Sequence, residues 1–392
     1  NITDQGTVDR TLANFYLELK PIDQILFRAQ YGVDQGFSDR RSYLPTSIYA
    51  GALENGRADI ANQKKNDDLV DLTLTYDDIY ADKHQLTVLL GFSRQKFRSE
   101  GSSATASNFI TDAFLANNLG TGANRPIVSS FNGEYGFISY FTRLNYIFDD
   151  KYIFTGTLRR DGASVFAENN RYGFFPSAAI GWKISEESFM EPLRETLSQL
   201  KLRVSYGETG NSSGLTGNAF AALRAGPAYL GPDESVLTGV FPFRLANPDL
   251  KWETTTETNL GLDFGLWNNR VYGSLEFYYR EVSDLLQSKP INSYNAVGQV
   301  LANVGTTEGK GFEFTLNSNN ISTQNFKWKS IFTFSTYKNN WKERAPDFKP
   351  AVYQSDTDPI RARYSYIADG IMQVGEEVPA QPDLFPGMIK IK

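Results

Sequence analysis

Carboxylates are the side chains from which a general acid and base would be built, and this sequence carries a candidate set late in the chain. Glu253 and Glu257 are four residues apart, and Asp263 follows further along. In a strand, that spacing separates the two glutamates by about 13 Å. A glycosidase pair is closer than that. We therefore interpret all three as ordinary acidic residues on a water-exposed surface, without a catalytic role.

Histidine and cysteine are almost missing. His84 is the one histidine among 392 residues, and cysteine is absent. A Ser-His-Asp triad needs a histidine beside its serine, and zinc is held by histidine and cysteine. The sequence therefore predicts no catalytic residue, no metal site and no cofactor, and the protein is not expected to be an enzyme. Lack of cysteine also fits an oxidising compartment.

Two further patterns suggest ligand contact, each with a simpler explanation. Arg159, Arg160 and Asp161 could touch a substrate, but the simpler interpretation is a charge pair at the end of a strand. Residues 207–214 are rich in Gly, Asn and Ser and could also touch a ligand. They lack the spacing of a phosphate-binding loop, so a solvated loop is the default interpretation.

Exposed aromatic residues in long connections are the remaining candidates. They could stack on sugar rings or dock a partner, or they could pack the loops against one another. Both alternatives stay open, so the ligand-binding residues are unknown at this stage. The residues concerned are Tyr229, Phe241, Phe243 and Tyr294.

Composition narrows the class of protein. The 39 basic and 45 acidic residues are mixed along the chain. No stretch of basic residues predicts a nucleic-acid-binding protein. No window of 18 apolar residues predicts a transmembrane helix. A membrane β-barrel has a modest average hydropathy, because its strands alternate apolar and polar residues. The low mean hydropathy of −0.39 therefore does not exclude a membrane protein.

Strands with a period of two dominate the sequence. Between Leu200 and Gly207, the residues Leu200, Leu202, Val204 and Tyr206 alternate with Lys201, Arg203 and Ser205. We count about twelve such segments of roughly 9–16 residues, where a tilted membrane-spanning strand needs about 9–11. They start near Arg10, Gln24, Asn66, His84, Glu134, Tyr152, Phe174, Gln199, Leu250, Arg270, Gly309 and Phe326.

Short and long connections take turns along the chain, as they do in barrels of the outer membrane. The short ones are residues 21–23, 79–83, 149–151, 266–269 and 318–325, and on the same side residues 185–198 predict a small surface helix. The long ones are residues 35–65, 99–133, 162–173, 208–249 and 286–308. The fold class predicted is all-β: an antiparallel up-and-down transmembrane β-barrel, incomplete, with long external loops at one end and short periplasmic turns at the other.

The alternation also assigns faces. An incomplete barrel should be a curved sheet with two unpaired edges, and its inner wall should carry Arg28, Asp71, Arg143, Lys201, Glu257, Glu276 and Glu313. Leu202 should face lipid, so that Leu202→Arg costs as much as about 2–4 kcal/mol near the bilayer midplane and less near its interface. Arg203→Leu should cost far less.

Tryptophan positions fit the same arrangement. Trp182, Trp267 and Trp328 fall near the short turns, and Trp252 falls near the long loops. Tryptophan favours membrane interfaces, because its ring is apolar and its N–H seeks water. Packing in the core of a soluble β-protein is the rival explanation.

Three stretches together resemble the SusC/RagA group of TonB-dependent outer-membrane transporters. The first is LRRDGASVF at residues 158–166, followed by NRYGFFPS at 170–177 and Gly181-Trp182. The second is LKLRVSYG at 200–207, leading into Gly210-Asn211. The third is NPDLKWE at 247–253, followed by TETNLGLD at 256–263. Any one is weak alone, but their order and spacing also match the family, and the resemblance covers essentially the whole chain.

The resemblance implies a plugged barrel of about 22 strands in the outer membrane of a Gram-negative bacterium. It implies contact with outer-membrane lipid and import of oligosaccharides or peptides, energised by TonB, with a SusD-like surface lipoprotein as partner. Residues 1–392 would then be a partial barrel domain and an internal fragment. The plug, the N-terminal region, the final strands and an acidic, calcium-binding type of loop after Lys392 would lie outside it.

Two alternatives remain open at this point. One is a passive outer-membrane pore or adhesin. The other is a secreted β-sandwich that binds or cleaves carbohydrate. The sandwich predicts that the apolar faces of the strands are buried against a second sheet.

Overall fold

The alternating segments form long antiparallel strands. A computed structural model describes residues 2–212, 219–232, 235–292, 294, 297–346, 348–351, 353–379 and 381–391. Its strands are β1 (Thr3–Ile22), β2 (Ile25–Leu44), β3 (Arg57–Tyr80), β4 (His84–Ser107), β5 (Ile127–Phe148), β6 (Tyr152–Ala163), β7 (Tyr172–Lys183), β8 (Leu197–Asn211), β9 (Ala222–Leu230), β10 (Val236–Arg244), β11 (Glu253–Leu266), β12 (Val271–Ser283), β13 (Leu286–Pro290), β14 (Gln299–Asn303), β15 (Thr306–Ser322), β16 (Lys327–Glu343), β17 (Ala368–Ile371) and β18 (Ile389–Ile391).

Helical structure in the described residues is confined to short pieces between the strands. It comprises one α-helical turn, α1 (Tyr49–Ala52), and the 3-10 turns Asp112–Asn117, Leu119–Thr121, Glu168–Asn170, Ile184–Glu186 and Ser188–Leu193. In the part of the chain that the structure describes, no helix has the length and apolarity needed to cross a membrane.

Twelve of the strands make one sheet, in the order β1-β2-β3-β4-β5-β6-β7-β8-β11-β12-β15-β16. Each strand is antiparallel to its neighbours, and the order follows the chain apart from the excursions β9–β10 and β13–β14. Because β1 and β16 end the order, the sheet is open and has two edges. The predicted incomplete up-and-down sheet of about twelve strands is confirmed.

An up-and-down order puts alternate connections at opposite ends of the sheet. The turns at residues 23–24, 81–83, 149–151, 184–196, 267–270 and 323–326 lie at one end, which we call the turn end. The connections from β2 to β3, β4 to β5, β6 to β7, β8 to β11 and β12 to β15 leave and rejoin the sheet at the other end, the loop end. The predicted separation of short turns from long loops is confirmed.

The extent of the first two long loops was predicted wrongly. Residues 35–44 and 57–65 continue β2 and β3, whose pairing is unbroken from Gln35↔Asn66 to Leu44↔Arg57. Likewise, β4 and β5 pair as far as Thr105↔Ile127. These extensions carry polar residues on both faces, so the alternation fades while the backbone hydrogen bonds continue. Loss of alternation marks the end of the apolar band and not the end of the strand.

The surface helix predicted within residues 185–198 is also corrected. Ile184–Glu186 and Ser188–Leu193 are 3-10 turns, and β8 already begins at Leu197. Pro192 lies inside the second turn and has no backbone N–H. A proline there removes an i→i−4 hydrogen bond, which favours a short turn over an α-helix.

Rows of aromatic side chains bound an apolar band on one face of the sheet. At the turn end, His84, Phe148, Tyr152 and Trp182 lie side by side in register, with ring centroids 4.9, 6.2 and 6.5 Å apart in succession. Eight residues further along β4, Phe92 stands opposite Tyr140 at 5.4 Å. Two aromatic rows flanking an apolar band are the girdles of a membrane barrel.

In the described part of the chain, the apolar residues on this face are not covered by a second layer. Leu90 on β4 is 51% exposed, and Phe277 on β12 is 53% exposed. In a β-sandwich this face would be buried. Within the described residues, most of the buried apolar side chains instead form two small clusters that both include loop-end residues. They are Ala163, Val165, Phe166, Phe175, Leu250 and Trp252, and Tyr43, Ala58, Ala106, Phe109 and Ala116.

Candidate functional site

Strand register divides the sheet into two faces, because residues paired across antiparallel strands point to the same side. One face of the sheet can be followed without a break from strand to strand. It includes the pairs Arg28↔Thr73, Ser139↔Asp161 and Glu276↔Glu313. We call it the polar face, and the opposite side, which carries the aromatic rows, the apolar face. All the charges expected on an inner wall lie on the polar face: Arg28, Asp71, Arg143, Lys201, Glu257, Glu276 and Glu313.

An ion-pair network on the polar face links β8, β11 and β12. The Arg203 guanidinium donates to both carboxylate oxygens of Asp263 at 2.8 Å and to Glu276 at 2.9 Å. Asn259 donates to the second oxygen of Glu276 at 3.3 Å. A two-pronged arginine–carboxylate pair fixes geometry as well as charge. Asp263 is therefore a structural partner of Arg203, as expected for an acidic residue of the polar face that has no catalytic role.

The three consecutive charges predicted as a unit are divided between the two faces. Arg159 donates to Asp161 at 2.8 Å and to the Ser139 hydroxyl at 2.9 Å on the polar face. Arg160 points to the apolar face, where its guanidinium stacks 4.3 Å from the centre of the Tyr172 ring. The period of two requires this separation. The predicted charge pair therefore consists of Arg159 and Asp161 alone.

A groove runs along the polar face around Arg159. One depression of about 300 Å³ is lined by Ser93, Gln95, Phe137, Ser139, Arg159, Asp161, Gly210, Asn211, Ser212 and Trp252. A second of about 360 Å³ is lined by Arg28, Gln30, Asp71, Thr73, Ser93, Gln95, Phe141 and Arg159. Because the two share Ser93, Gln95 and Arg159, they form one continuous trough, which we call the wall groove.

The chemistry of the wall groove is hydrogen bonding beside apolar rings. The Arg159 guanidinium lies 5.3 Å from the centre of the Phe141 ring, so a charged donor and an aromatic face are presented together. Gln95 and Ser93 add an amide and a hydroxyl. Donors and acceptors of this kind bind hydroxyl or amide groups of a ligand.

Glu253 and Glu257 each have structural partners. Glu257 accepts from Arg280 at 2.7 Å, and Glu253 accepts from the Asn211 amide at 3.0 Å and the Leu286 backbone N–H at 3.1 Å. They occupy different hydrogen-bond networks, which supports the interpretation as wall acids. Among the described residues, no group of three His, Cys, Asp or Glu side chains is arranged to hold a metal ion.

His84 begins β4 beside a short turn, as predicted. Its Nδ1 lies 2.7 Å from the Tyr146 hydroxyl, and its ring lies 4.9 Å from that of Phe148. Its place is in the aromatic row of the turn end. Trp182, Trp267 and Trp328 also lie at that end, Trp267 in the turn after β11 and the others within β7 and β16.

Trp252 lies at the loop end, as predicted, but it has no membrane-interface role. It is only 8% exposed, and its ring packs against Phe166 and Phe175 at 5.2 and 5.6 Å. Its indole N–H donates to the Arg171 carbonyl at 3.2 Å. Leu250 completes this loop core. The motifs at 158–166 and 247–253 thus meet in space, and their large apolar residues hold the loop layer together.

A second loop assembly is held by Asp112. Its carboxylate accepts from the Tyr43 hydroxyl at 2.7 Å and from the Thr46 hydroxyl at 2.7 Å and backbone N–H at 3.2 Å. These hydrogen bonds lower the pKa of Asp112 from its ordinary value. Sequence reasoning missed this residue, because nothing local marks a loop aspartate as the partner of side chains nearly seventy positions away.

The loop aromatics lie mainly on the β9–β10 hairpin. The Phe241 ring covers Gly226, and the Arg224 guanidinium lies 5.2 Å from the centre of the Phe243 ring. Tyr229 is 57% and Tyr294 is 93% exposed. Of the Gly/Asn-rich stretch, residues 207–211 belong to β8, while 213 and 214 lie outside the described residues. Their ligand-binding role stays a prediction.

Comparisons with known proteins agree on one class. Residues 1–384 match the family model described as "TonB dependent receptor-like, beta-barrel". The chain is 38% identical to TonB-dependent receptor P3 of Formosa agariphila, over 86% of this chain and 33% of that protein. It is 42% identical to TonB-dependent receptor SusC of Bacteroides thetaiotaomicron, over 49% of this chain and 19% of SusC.

A solved structure gives the same result. "Structure of the RagAB peptide transporter" matches with a TM-score of 0.79 and 25% identity, over 87% of this chain and 37% of that chain. The chain spans about a third of the length of the first curated relatives that it matches.

Proposed function

Because the chain belongs to the TonB-dependent receptor β-barrel family, and so lies in the outer membrane of a Gram-negative bacterium, we propose that it forms part of the barrel wall of an importer of oligosaccharides or peptides. The polar face lines the lumen in this proposal, and the apolar face meets lipid. Residues 1–392 are then a partial barrel domain that works by binding and passage, without catalysis.

The wall groove is the observation that carries the proposal. It presents two guanidinium groups, three amides, hydroxyls and two aspartates beside phenylalanine rings, over two joined depressions of about 300 and 360 Å³. Oligosaccharides and peptides are both long, polar chains with repeated hydrogen-bonding groups and apolar patches. Weak binding at several points favours passage, because a ligand must be able to leave as well as enter.

Partner proteins follow from the relatives. The matched titles name SusC and the RagAB transporter, and one describes RagAB as a peptide importer in an "open-open" state. We propose that this chain likewise works with a SusD-like surface lipoprotein at its loop end. Energy would come from TonB, acting through a region of the protein outside these residues.

Uptake by intact cells tests the proposal. Cells expressing the complete transporter are given fluorescent oligosaccharides and fluorescent peptides, with and without an uncoupler of the proton gradient. An importer driven by TonB stops with the uncoupler, whereas a passive pore continues. Arg159→Gln should reduce uptake of the transported class several-fold, while Lys310→Gln, which removes an equal charge from the apolar face, should leave it unchanged. Equal effects of the two substitutions would contradict a role for the groove.

A further inference from the structure

Basic side chains lie close together on the apolar face, just beyond the aromatic pair Phe92 and Tyr140 on the loop-end side. Along β4, the apolar residues end at Phe92, and Arg94, Lys96 and Arg98 follow on the same face. Arg171, in the connection before β7, lines the same region. An outward-facing cluster of cations does not line the lumen, so the import proposal leaves it unexplained.

The height of this cluster can be worked out from the strand. His84 marks the aromatic row of the turn end, and Arg94 lies ten residues further along β4. Ten residues span about 33 Å along a strand, which is about 25 Å across the membrane at a tilt of about 40°. The apolar band of a membrane barrel is also about 25 Å tall. The cluster therefore lies level with the lipid headgroups on the loop-end side, the side of the outer leaflet.

The cations surround a depression rather than a flat surface. Its volume is about 450 Å³, and its lining includes Arg94, Lys96, Glu134, Gly136, Gly162, Ser164, Arg171 and Tyr172. The row Arg94↔Ile138↔Gly162↔Tyr172 crosses four strands. The Tyr172 ring lies over Gly162, where a Cβ would come within 2.5 Å of it. A Cβ on Gly136 would come within 2.9 Å of the Gln95 carbonyl oxygen. Neither glycine could carry a side chain unless these neighbours moved, so both help to set the shape of the depression.

Positive charge inside the depression is not balanced. Glu134 is the one carboxylate in its lining, and it already pairs with Lys96 at 2.7 Å and with Arg98 at 2.9 Å. The Arg171 Nε is buried and has no hydrogen-bond partner in the described part of the chain. Arg94 forms no ion pair with any described residue. Arg94 and Arg171 thus carry positive charge that no described carboxylate pairs with, and such charge favours an anion supplied from outside.

We propose that this depression binds the phosphorylated headgroup of an outer-leaflet lipid. Phosphate oxygens accept from Arg94, Lys96 and Arg171, the Ser164 hydroxyl offers a further polar contact, and the acyl chains lie down the apolar face beside Tyr140 and Ile138. Arginine suits this role, because its planar fork matches phosphate. A site of this kind would hold the barrel at a set depth in the membrane.

Lipid retention by the complete transporter tests the proposal. The protein is reconstituted in phosphatidylcholine nanodiscs with lipid A, or with lipid A from which the phosphates have been removed, and bound lipid is counted by native mass spectrometry. Arg94→Gln with Lys96→Gln is compared with Lys65→Gln and Arg143→Gln, which remove the same charge from the polar face. Inorganic phosphate is added in a separate arm to show whether a free anion occupies the site.

The expected result is that lipid A stays bound to the wild type and to the polar-face variant. Its retention should fall about tenfold in the Arg94/Lys96 variant, because each cation near an anionic lipid surface adds to binding. Lipid A without phosphates should be retained weakly by all three. The proposal fails if both double variants lose lipid A equally, if dephosphorylated lipid A is retained as well as lipid A, or if inorganic phosphate alone displaces lipid A at millimolar concentration.

Discussion

Replacing Leu144 by arginine should destabilise the folded barrel far more than the same replacement at its neighbour Asn145. The two residues are adjacent in β5 and therefore lie at the same depth, but they point to opposite faces. Leu144 stands opposite Val88 and Gly156 on the apolar face. Asn145 stands opposite Thr87 and Thr155 on the polar face. The comparison separates the environment of the side chain from its position along the strand.

The expected magnitude follows from the two aromatic rows. Phe148 and Tyr140 mark them on β5, and Leu144 lies four residues from each. Four residues span about 13 Å, so Leu144 is close to the middle of the band. An arginine on the lipid face costs about 2–4 kcal/mol at the bilayer midplane. Asn145→Arg loses one hydrogen bond from Thr155, which amounts to about 1 kcal/mol.

Leu202 is a poorer site for this test than the alternation suggested. It stands beside Trp182 in the row of the turn end, so an arginine there should cost only about 0–1 kcal/mol. It serves as the shallow control. The free energy of unfolding would be measured by urea titration of the complete protein in lipid vesicles. Losses of equal size at Leu144 and Asn145, or a larger loss at Asn145, would refute the assignment of the faces.

Three further predictions concern the networks of the wall and the loops. Arg203→Leu should lower the free energy of unfolding by about 1–2 kcal/mol, because it leaves Asp263 and Glu276 without their cation. This revises the expectation from alternation alone that Arg203→Leu costs far less than Leu202→Arg; urea titration measures it, and a neutral result would contradict the network. Trp252→Ala should destabilise the loop layer by about 3–5 kcal/mol and expose the external loops to protease, whereas unchanged cleavage would show that the loop core is not cooperative. Hydrogen bonds lower the pKa of Asp112 below 3.8, so the stability that they contribute should be complete above that pH and lost as pH falls through the lowered value. The protection of residues 45–56 against hydrogen exchange, relative to the intrinsic rate at each pH, should therefore fall at low pH. Asp112→Asn should abolish that dependence.

Period-two alternation was sufficient to predict the faces. A single apolar residue placed on the wrong side would meet water, so the pattern from Leu200 to Tyr206 could be assigned without any knowledge of its neighbours. The order of the strands followed for the same reason, because short turns force antiparallel neighbours.

Contacts between distant segments could not be predicted in this way. Trp252 looks like an interface tryptophan from its position, and only the fold shows that Phe166 and Phe175 enclose it. The extensions of β2 to β5 were missed, since backbone pairing continues where side chains no longer alternate. The period of two alone predicts that Arg159 and Arg160 lie on opposite faces of the sheet. The three consecutive charged residues were nevertheless interpreted as one unit.

Site-directed spin labelling on β8 tests the central claim most directly, since the chain has no cysteine of its own to remove. Single cysteines at Val204 and Ser205 would be labelled in the complete protein in lipid vesicles, and their collisions with oxygen and with a water-soluble nickel complex compared. The account predicts that the label at Val204 meets mainly oxygen, as lipid-facing sites do, and that the label at Ser205 meets mainly nickel. Equal nickel accessibility at the two positions, or the reverse order, would contradict a barrel wall with a wet lumen on the polar face and lipid on the other.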